Sequence, residues 1–172
     1  MNKIILIGYM GCGKSTIAFK LAKRLKISSF DLDELIENEM KLSIVEIFSK
    51  KGEIYFRKIE HEIFKNSILN DEDFVISTGG GTPCYSNNHL LLNSEKVISV
   101  YLRATVDTLY NRLLEEKTLR PILADKPQNE LKKFIAQHLF ERSYFYNQAT
   151  YTVTVDSKRP DEIVSEILSL LI

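Results

Sequence analysis

Two periods of hydrophobic patterning alternate along this chain. Short runs of consecutive apolar residues, beginning with Ile4-Ile5-Leu6-Ile7, give way to longer stretches in which apolar residues recur every three to four positions. The short runs read as buried strands and the longer stretches as helices that cover them. Strands are predicted at 3–7, 29–31, 74–77, 97–102 and 151–155. Helices are predicted at 14–25, 33–40, 44–50, 53–69 and 87–93, from Ala104 or Thr105 to about 116, at 130–147, and from Pro160 onward. In the first helix Ile17, Ala18, Leu21, Ala22 and Leu25 share one face. Gly52 stands where a glycine is expected just past a helix end. Pro160 suits the first turn of the last helix, and Asp161 and Glu162 complement its positive end. Strands and helices alternating in this way predict an α/β fold on a parallel sheet. At 172 residues the chain suits one domain, 1–172, that buries close to ~70% of its unfolded surface without staples.

Charge and cysteine usage narrow the partners. Lysine plus arginine and aspartate plus glutamate balance at 23 each. Zero net charge argues against a nucleic-acid or membrane-surface binder. Cys12 and Cys84 have no C-x-x-C spacing and no histidine cluster, so neither a disulfide framework nor a zinc site is expected. Only four apolar residues follow Lys3 before Gly8, too few for a signal-peptide core or a membrane span. A soluble, cytoplasmic protein is expected.

The turn after the first strand carries the chemistry. Gly8-Tyr9-Met10-Gly11-Cys12-Gly13-Lys14-Ser15 matches G-x-x-x-x-G-K-[ST], a phosphate-binding loop, in its required strand–loop–helix context. Gly8, Gly11 and Gly13 tolerate the positive dihedrals that let backbone N–H groups curl around phosphate oxygens. The following helix points its positive end at the same phosphates. Lys14 can reach the β- and γ-phosphates, and the Ser15 hydroxyl can take a Mg²⁺ coordination site.

In an open parallel sheet, ligands bind at the carboxyl ends of the strands. Asp31 and Asp33 fall there, after the second strand. One could serve the Mg²⁺ shell and the other could orient or deprotonate an acceptor hydroxyl. Asp33 equally suits the cap of the next helix. Glu53, Arg57 and Glu60 lie at helical spacing. They read either as a solvated ion-pair ladder or as a covered arginine that needs an anion, because Ile54, Ile59, Ile63, Phe64 and Ile68 put apolar residues on more than one face. Arg142 shares one side of its helix with Leu131, Phe134, Ile135, His138 and Phe145. A guanidinium on an apolar face snorkels out, forms a structural salt bridge or meets a ligand carboxylate. His138 reads as a satisfied core histidine. Gly79-Gly80-Gly81 lets backbone approach something closely, either a ligand or a neighbouring element. Cys84 reads as a small buried hydrophobe. Arg120-Pro121, in the polar stretch at about 117–129, reads as a lid whose arginine could steady a transferring phosphoryl group, or as a solvated connector. Arg112 and Arg159 could stack on a nucleotide base or sit on the surface.

Together these motifs resemble the shikimate kinase family. The matching pieces are Gly8-x-Met10-Gly11-x-Gly13-Lys14-Ser15-Thr16, Phe30-Asp31-x-Asp33, Gly52-Glu53-x-x-Phe56-Arg57-x-x-Glu60, Gly79-Gly80-Gly81, Arg120-Pro121 and Arg142 with Tyr146. The resemblance implies ATP-dependent phosphorylation of the 3-hydroxyl of shikimate, on the route to chorismate and the aromatic amino acids. It implies a three-layer α/β/α sandwich, a kinase fold with a five-stranded parallel sheet in the order 2-3-1-4-5. Shikimate would be held by Asp33, Arg57, Gly79, Gly80, Gly81 and Arg142. Gly11, Cys12, Gly13, Lys14, Ser15, Thr16, Arg112 and Arg120 would hold ATP, and Ser15, with Asp31 through water, would hold Mg²⁺. Asp33, Lys14 and Arg120 would be catalytic, and the protein would be a monomer. The chain departs from the family at Lys117-Thr118-Leu119 and after Asn87-Asn88, where an arginine is usual. A kinase of another small metabolite, such as gluconate, and a nucleotide-dependent switch are the competing readings. The switch lacks support, because no Asn-Lys-x-Asp or Asp-x-x-Gly segment is present.

Overall fold

Five parallel strands form the centre of the computed structural model, which describes residues 3–116 and 127–171. They are β1 (Lys3–Ile7), β2 (Ser28–Asp31), β3 (Phe74–Ser77), β4 (Val97–Arg103) and β5 (Tyr151–Thr154), in the order β2-β3-β1-β4-β5. β1 and β3 are buried along their whole length, while the edge strands β2 and β5 are partly exposed. That is the pattern expected of a sheet covered on both faces. The helices are α1 (Lys14–Leu25), α2 (Leu32–Met40), α3 (Ile44–Lys51), α4 (Glu53–Leu69), α5 (Val106–Glu116), α6 (Gln128–Tyr146) and α7 (Pro160–Leu170). Helix α1 packs beside α7, and α5 beside α6. The five-stranded order and the parallel pairing agree with the expected α/β/α kinase fold.

Two local readings need correction. The helix expected at 87–93 is a 3₁₀ segment, Asn88–Asn93, and another short 3₁₀ turn, Thr82–Cys84, precedes it. Ser86 and Asn87, with φ of 51° and 57°, turn the chain between the two, so no α-helix can run through. The second correction concerns α4. Its buried residues form a single stripe, Phe56, Glu60, Phe64 and Ile68, while Ile54 is 89% exposed. Tyr55, Ile59 and Ile63 flank that stripe and pack against the core as well, so the covered side is broad and takes in Arg57 but not Ile54, and a carboxylate sits in its middle.

Gly52 ends α3 as expected, its N–H donating to Phe48 O at 3.0 Å. Because all the strands run the same way, the residues that follow β1, β2 and β3 emerge at one edge of the sheet. Register sets Asp31 level with Ser77, and Ser77 level with Leu6. Residues 117–126, with Arg120 and most of the predicted lid, lie outside the described residues.

Candidate active site

Between Ile7 and α1 the chain folds into the glycine loop. Gly8, Gly11 and Gly13 hold φ of 145°, 80° and 98°. Gly8 has a second constraint: a methyl group there would stand 2.7 Å from Leu102 O of β4. Helix α1 opens on left-handed Gly13 with no side-chain cap, which leaves its first N–H groups for an anion. Lys14 is 9% exposed, and its Nζ donates to Gly8 O at 2.9 Å and Tyr9 O at 3.0 Å. The ammonium is therefore carried over the loop itself. From α5, Arg112 Nη1 donates to Gly11 O at 3.3 Å. Cys12 is buried, and Ser15 and Thr16 are exposed on the first turn of α1.

Asp31 ties this loop to β2 and β3. Ser15 Oγ and Ser77 Oγ each donate to Asp31 Oδ2 at 2.7 Å. The Asp33 N–H donates to Asp31 Oδ1 at 3.0 Å, so Asp31 caps α2. The alternative of Asp33 as the cap is thereby corrected. The extended residue just before the helix is Asp31, with φ −109° and ψ 126°, and only that residue can reach back to the first amides. Asp33 keeps its carboxyl free of that duty. Burial pushes its pKa up to about 6, the negative charges of Asp31 and Glu60 add to the rise, and Lys14 opposes it. A carboxyl titrating near neutrality suits acid–base work.

The three glycines after β3 collect the remaining candidates one by one. A methyl group placed on Gly79 would lie 3.5 Å from Asp33 Oδ1. On Gly80 it would lie 3.1 Å from Arg142 Nη1 and 3.3 Å from Met10 N of the phosphate loop. On Gly81 it would lie 2.7 Å from Arg57 Nη2. None of these three glycines has a positive φ, so they are there for space rather than for conformation. Arg142 is 8% exposed and forms no ion pair with a carboxylate of the described residues. The structural salt bridge considered for it is thus not formed among them. Arg57 does pair, with Glu60 at 2.7 Å and with Glu53 at 3.5 Å. The ladder exists, but only its Glu53 end is solvated: Glu60 is 0% exposed and also accepts from Thr82 Oγ1 at 2.7 Å.

A cleft of about 270 Å³ joins the phosphate loop to Asp33 and the first two of these glycines, lined by Met10, Gly11, Gly13, Lys14, Ser15, Thr16, Asp31, Asp33, Thr78, Gly79 and Gly80, while Gly81, Arg57 and Arg142 do not line it. A larger cavity of about 490 Å³ opens between α6 and the ends of β4 and β5, beside Arg103, Phe140 and Asp156. It holds none of the expected site residues, so size does not mark the site. The Tyr9 hydroxyl and His138 Nδ1 stand 3.0 Å apart, which makes His138 the satisfied histidine expected. Burial pushes the Cys84 thiol up to about 11 despite the nearby Arg142 and Arg57, so it stays an unreactive thiol. Arg159 is largely exposed and paired with Glu162 at 3.2 Å.

Three supporting residues, Thr82, Asn88 and Tyr9, are not marked by the sequence. Tyr146 OH donates to Gly80 O at 2.6 Å and fixes the middle glycine. Thr82 and Asn88 brace Glu60 and the turn beneath it. Tyr9 was passed over as a variable loop position. Glu60 and Tyr146 do carry a signal, Glu60 through the four-residue spacing of Phe56, Glu60, Phe64 and Ile68 and Tyr146 beside Arg142 in the family motif.

Comparison with known proteins is consistent with this geometry. A family model described as shikimate kinase matches residues 10–172. The chain is 54% identical over 171 residues to a shikimate kinase of Flavobacterium johnsoniae, covering 99% of each. Its fold is similar to a crystal structure of shikimate kinase from Bacteroides thetaiotaomicron, with a TM-score of 0.91, 36% identity, and 99% and 98% of the two chains covered. It is similar again to a shikimate kinase from Acinetobacter baumannii in complex with shikimate, with a TM-score of 0.88, 29% identity, and 99% and 93% covered.

Proposed function

This chain belongs to the shikimate kinase family, and from that premise we propose how its own residues divide the reaction. The enzyme transfers the γ-phosphoryl group of ATP to the 3-hydroxyl of shikimate, with Mg²⁺. The bond from γ-phosphorus to the bridging oxygen breaks, the bond from the 3-oxygen to phosphorus forms, and the hydroxyl proton departs. ADP and shikimate 3-phosphate result.

The observation that carries the assignment of roles is the row of three glycines. Asp33, Arg142 and Arg57 each approach one of them, beside the phosphate loop. In this reading Arg142 and Arg57 grip the acceptor's carboxylate, and Gly79, Gly80 and Gly81 let the ring lie against backbone. Asp33 meets the hydroxyl and accepts its proton, for which a pKa of about 6 leaves it mostly ionised at neutral pH. Lys14, with the amides of Gly11, Cys12, Gly13, Ser15 and Thr16, holds the phosphates. Arg112, already against Gly11 O, serves the nucleotide side. Arg120 serves the transferring phosphoryl group on the strength of its sequence context, within one domain whose lid is at about 117–129. The Ser15 hydroxyl and Asp31 carboxylate are hard oxygen donors 2.7 Å apart, a set that fits Mg²⁺. The ion, when bound, would neutralise charge on the phosphate oxygens. Positioning and charge neutralisation then supply most of the rate, since phosphoryl transfer needs little covalent help.

A monomeric, cytoplasmic enzyme fits this reading. Among the described residues no helix is long and apolar enough to cross a membrane. A coupled ADP-release assay with shikimate and gluconate as acceptors tests the whole, and turnover with shikimate alone is expected. In that assay Arg142→Ala raises the KM for shikimate while the KM for ATP holds. The reverse pattern would move Arg142 to the nucleotide side.

A further inference from the structure

Tyr85 places its ring over the Arg57 guanidinium, with Cζ 4.0 Å from the ring centroid, and remains 38% exposed. Phe56 lies 5.1 Å from the same carbon. Gly81 leaves room on another side, where any larger residue would meet the guanidinium nitrogens. Hydrogen bonds do little to set the plane of this group. Glu60 holds Nη1 at 2.7 Å, whereas buried Nε makes no hydrogen bond and Glu53 Oε1 stands 3.5 Å from it. A guanidinium with one short hydrogen bond and one long, half-exposed ion pair can still tilt about the short contact. A ring over its face removes the freedom.

The backbone under Tyr85 points the same way. Ser86 and Asn87 are both left-handed, a conformation that asparagine tolerates but serine avoids, so the strain lies at Ser86. Such strain persists where the surroundings over-determine it. Here the next residue, Asn88, is fully buried, donates to Thr82 O at 2.9 Å and meets His61 Nδ1 at 2.7 Å. Thr82 in turn donates to Glu60. The turn is thus pinned at Asn88 and at Thr82, and it returns Tyr85 across the ion pair that Thr82 supports from behind.

We propose that Tyr85 is a positioning residue of the acceptor site, whose ring fixes the plane in which Arg57 presents itself to the acceptor's carboxylate. The inference rests on the reading of Arg57 as a carboxylate ligand given above. Tyr85 then governs how tightly the acceptor is held and leaves the transfer step alone.

Steady-state kinetics of Tyr85→Leu, Tyr85→Phe and Arg57→Ala, with thermal melts alongside, test it. Leucine keeps the apolar bulk without a π face. Tyr85→Leu is expected to raise the KM for shikimate by roughly threefold to thirtyfold, the range of a cation–π contact. Its kcat and KM for ATP should stay within about twofold of the parent. Tyr85→Phe should restore the KM for shikimate. An equal rise in both tyrosine variants would put the hydroxyl to work and overturn the stacking. A fall in kcat at constant KM, or a lowered melting point with unchanged kinetics, would overturn it too. Arg57→Ala separates the two levels. If it raises the KM and Tyr85→Leu does not, the Tyr85 inference alone fails. If Arg57→Ala leaves the KM unchanged, the reading of Arg57 fails first and takes Tyr85 with it.

Discussion

The phosphate side and the acceptor side of this enzyme are built in opposite ways. On the phosphate side one continuous segment, Gly8 to Thr16, supplies backbone amides, a helix end and Lys14. On the acceptor side the working groups come from far apart in the sequence. Asp33 opens α2, Arg57 lies in the first turns of α4, Arg142 lies late in α6, and the glycines follow β3. Loop geometry holds the first site, and packing holds the second. A local site is robust to changes in its neighbours. A dispersed site is only as well aligned as the helices that carry it, and so it needs props such as Glu60, Thr82 and Tyr146.

The largest effect should come from the local site. Lys14→Met removes the ammonium held over the loop carbonyls, and turnover should fall by about 10³-fold or more, as for a lost charge-stabilising donor in a closed site. Single-turnover phosphate transfer would measure it, and near-normal transfer would break the reading of the loop. The fold should survive, because the loop is shaped by its glycines.

The same contrast explains how much was legible in the sequence. The central strands were readable because β1 and β3 carry runs of consecutive apolar residues and only Ser99 interrupts that of β4, while the edge strands followed from the helices on either side, each of which keeps its own period. The phosphate loop was readable because its residues are contiguous. Arg142 was readable for a different reason: a charge on an apolar stripe has to be answered. Glu60 sits on such a stripe too, but its salt-bridge spacing to Arg57 disguised it as a surface pair. Asp31 and Asp33 could not be told apart, because which residue caps a helix depends on where the extended backbone ends. Thr82 and Asn88 left no signal, since each works through a partner at least six positions away.

Asp33→Asn sharpens the comparison next. Loss of a proton acceptor should lower kcat by about 10²-fold. In the parent enzyme kcat/KM should fall as pH drops below about 6, where Asp33 becomes protonated. Stability should move the other way. The folded pKa is about 6 and the ordinary value 3.8, so between them the folded state binds more protons than the unfolded chain. The contribution of Asp33 to stability is therefore complete below pH 3.8 and is lost as pH rises through about 6. At pH 7 the asparagine variant, which has no charge to bury, should melt no lower than the parent while turning over far more slowly. A lower melting point at pH 7 would contradict the buried-carboxylate account.

Gly81→Ala probes the packing of the acceptor side with one methyl group. Gly81 has φ −90°, so alanine meets no backbone strain. Its Cβ would stand 2.7 Å from Arg57 Nη2 and 3.1 Å from Cζ, and the guanidinium must move. The KM for shikimate should rise by about tenfold, with the KM for ATP unchanged, since small misplacements of a positioning group are expensive. Equal changes in both constants would erase the distinction between the two sides.

The smallest effect is expected from the helix that precedes α4. Ser43 caps α3, its Oγ accepting from the Glu46 N–H at 3.2 Å while Glu46 Oε2 accepts from the Ser43 N–H at 2.9 Å. That Ser43 N–H, followed by Lys50 and the Ser43 hydroxyl, holds the Glu46 carboxyl down at about 2. Ser43→Ala should cost about 1 kcal/mol, or roughly 2–4 °C in melting temperature for a chain of this size. The pH dependence has the opposite sign to that of Asp33. A depressed carboxyl stabilises above its ordinary pKa of 4.5, and the gain is lost as pH falls towards 2. Ser43→Ala removes only the hydroxyl's share of that gain and keeps the Ser43 N–H and Lys50, so the difference in melting point from the parent should shrink only slightly in acid. Neither KM should move, because α3 supplies no site residue and Arg57 is held by partners on α4 and in the segment after β3. If the KM for shikimate does rise, the acceptor side responds to the stability of helices beyond its own contacts, and its alignment is a property of the whole α3–α4 layer rather than of the Arg57–Glu60–Thr82 braces.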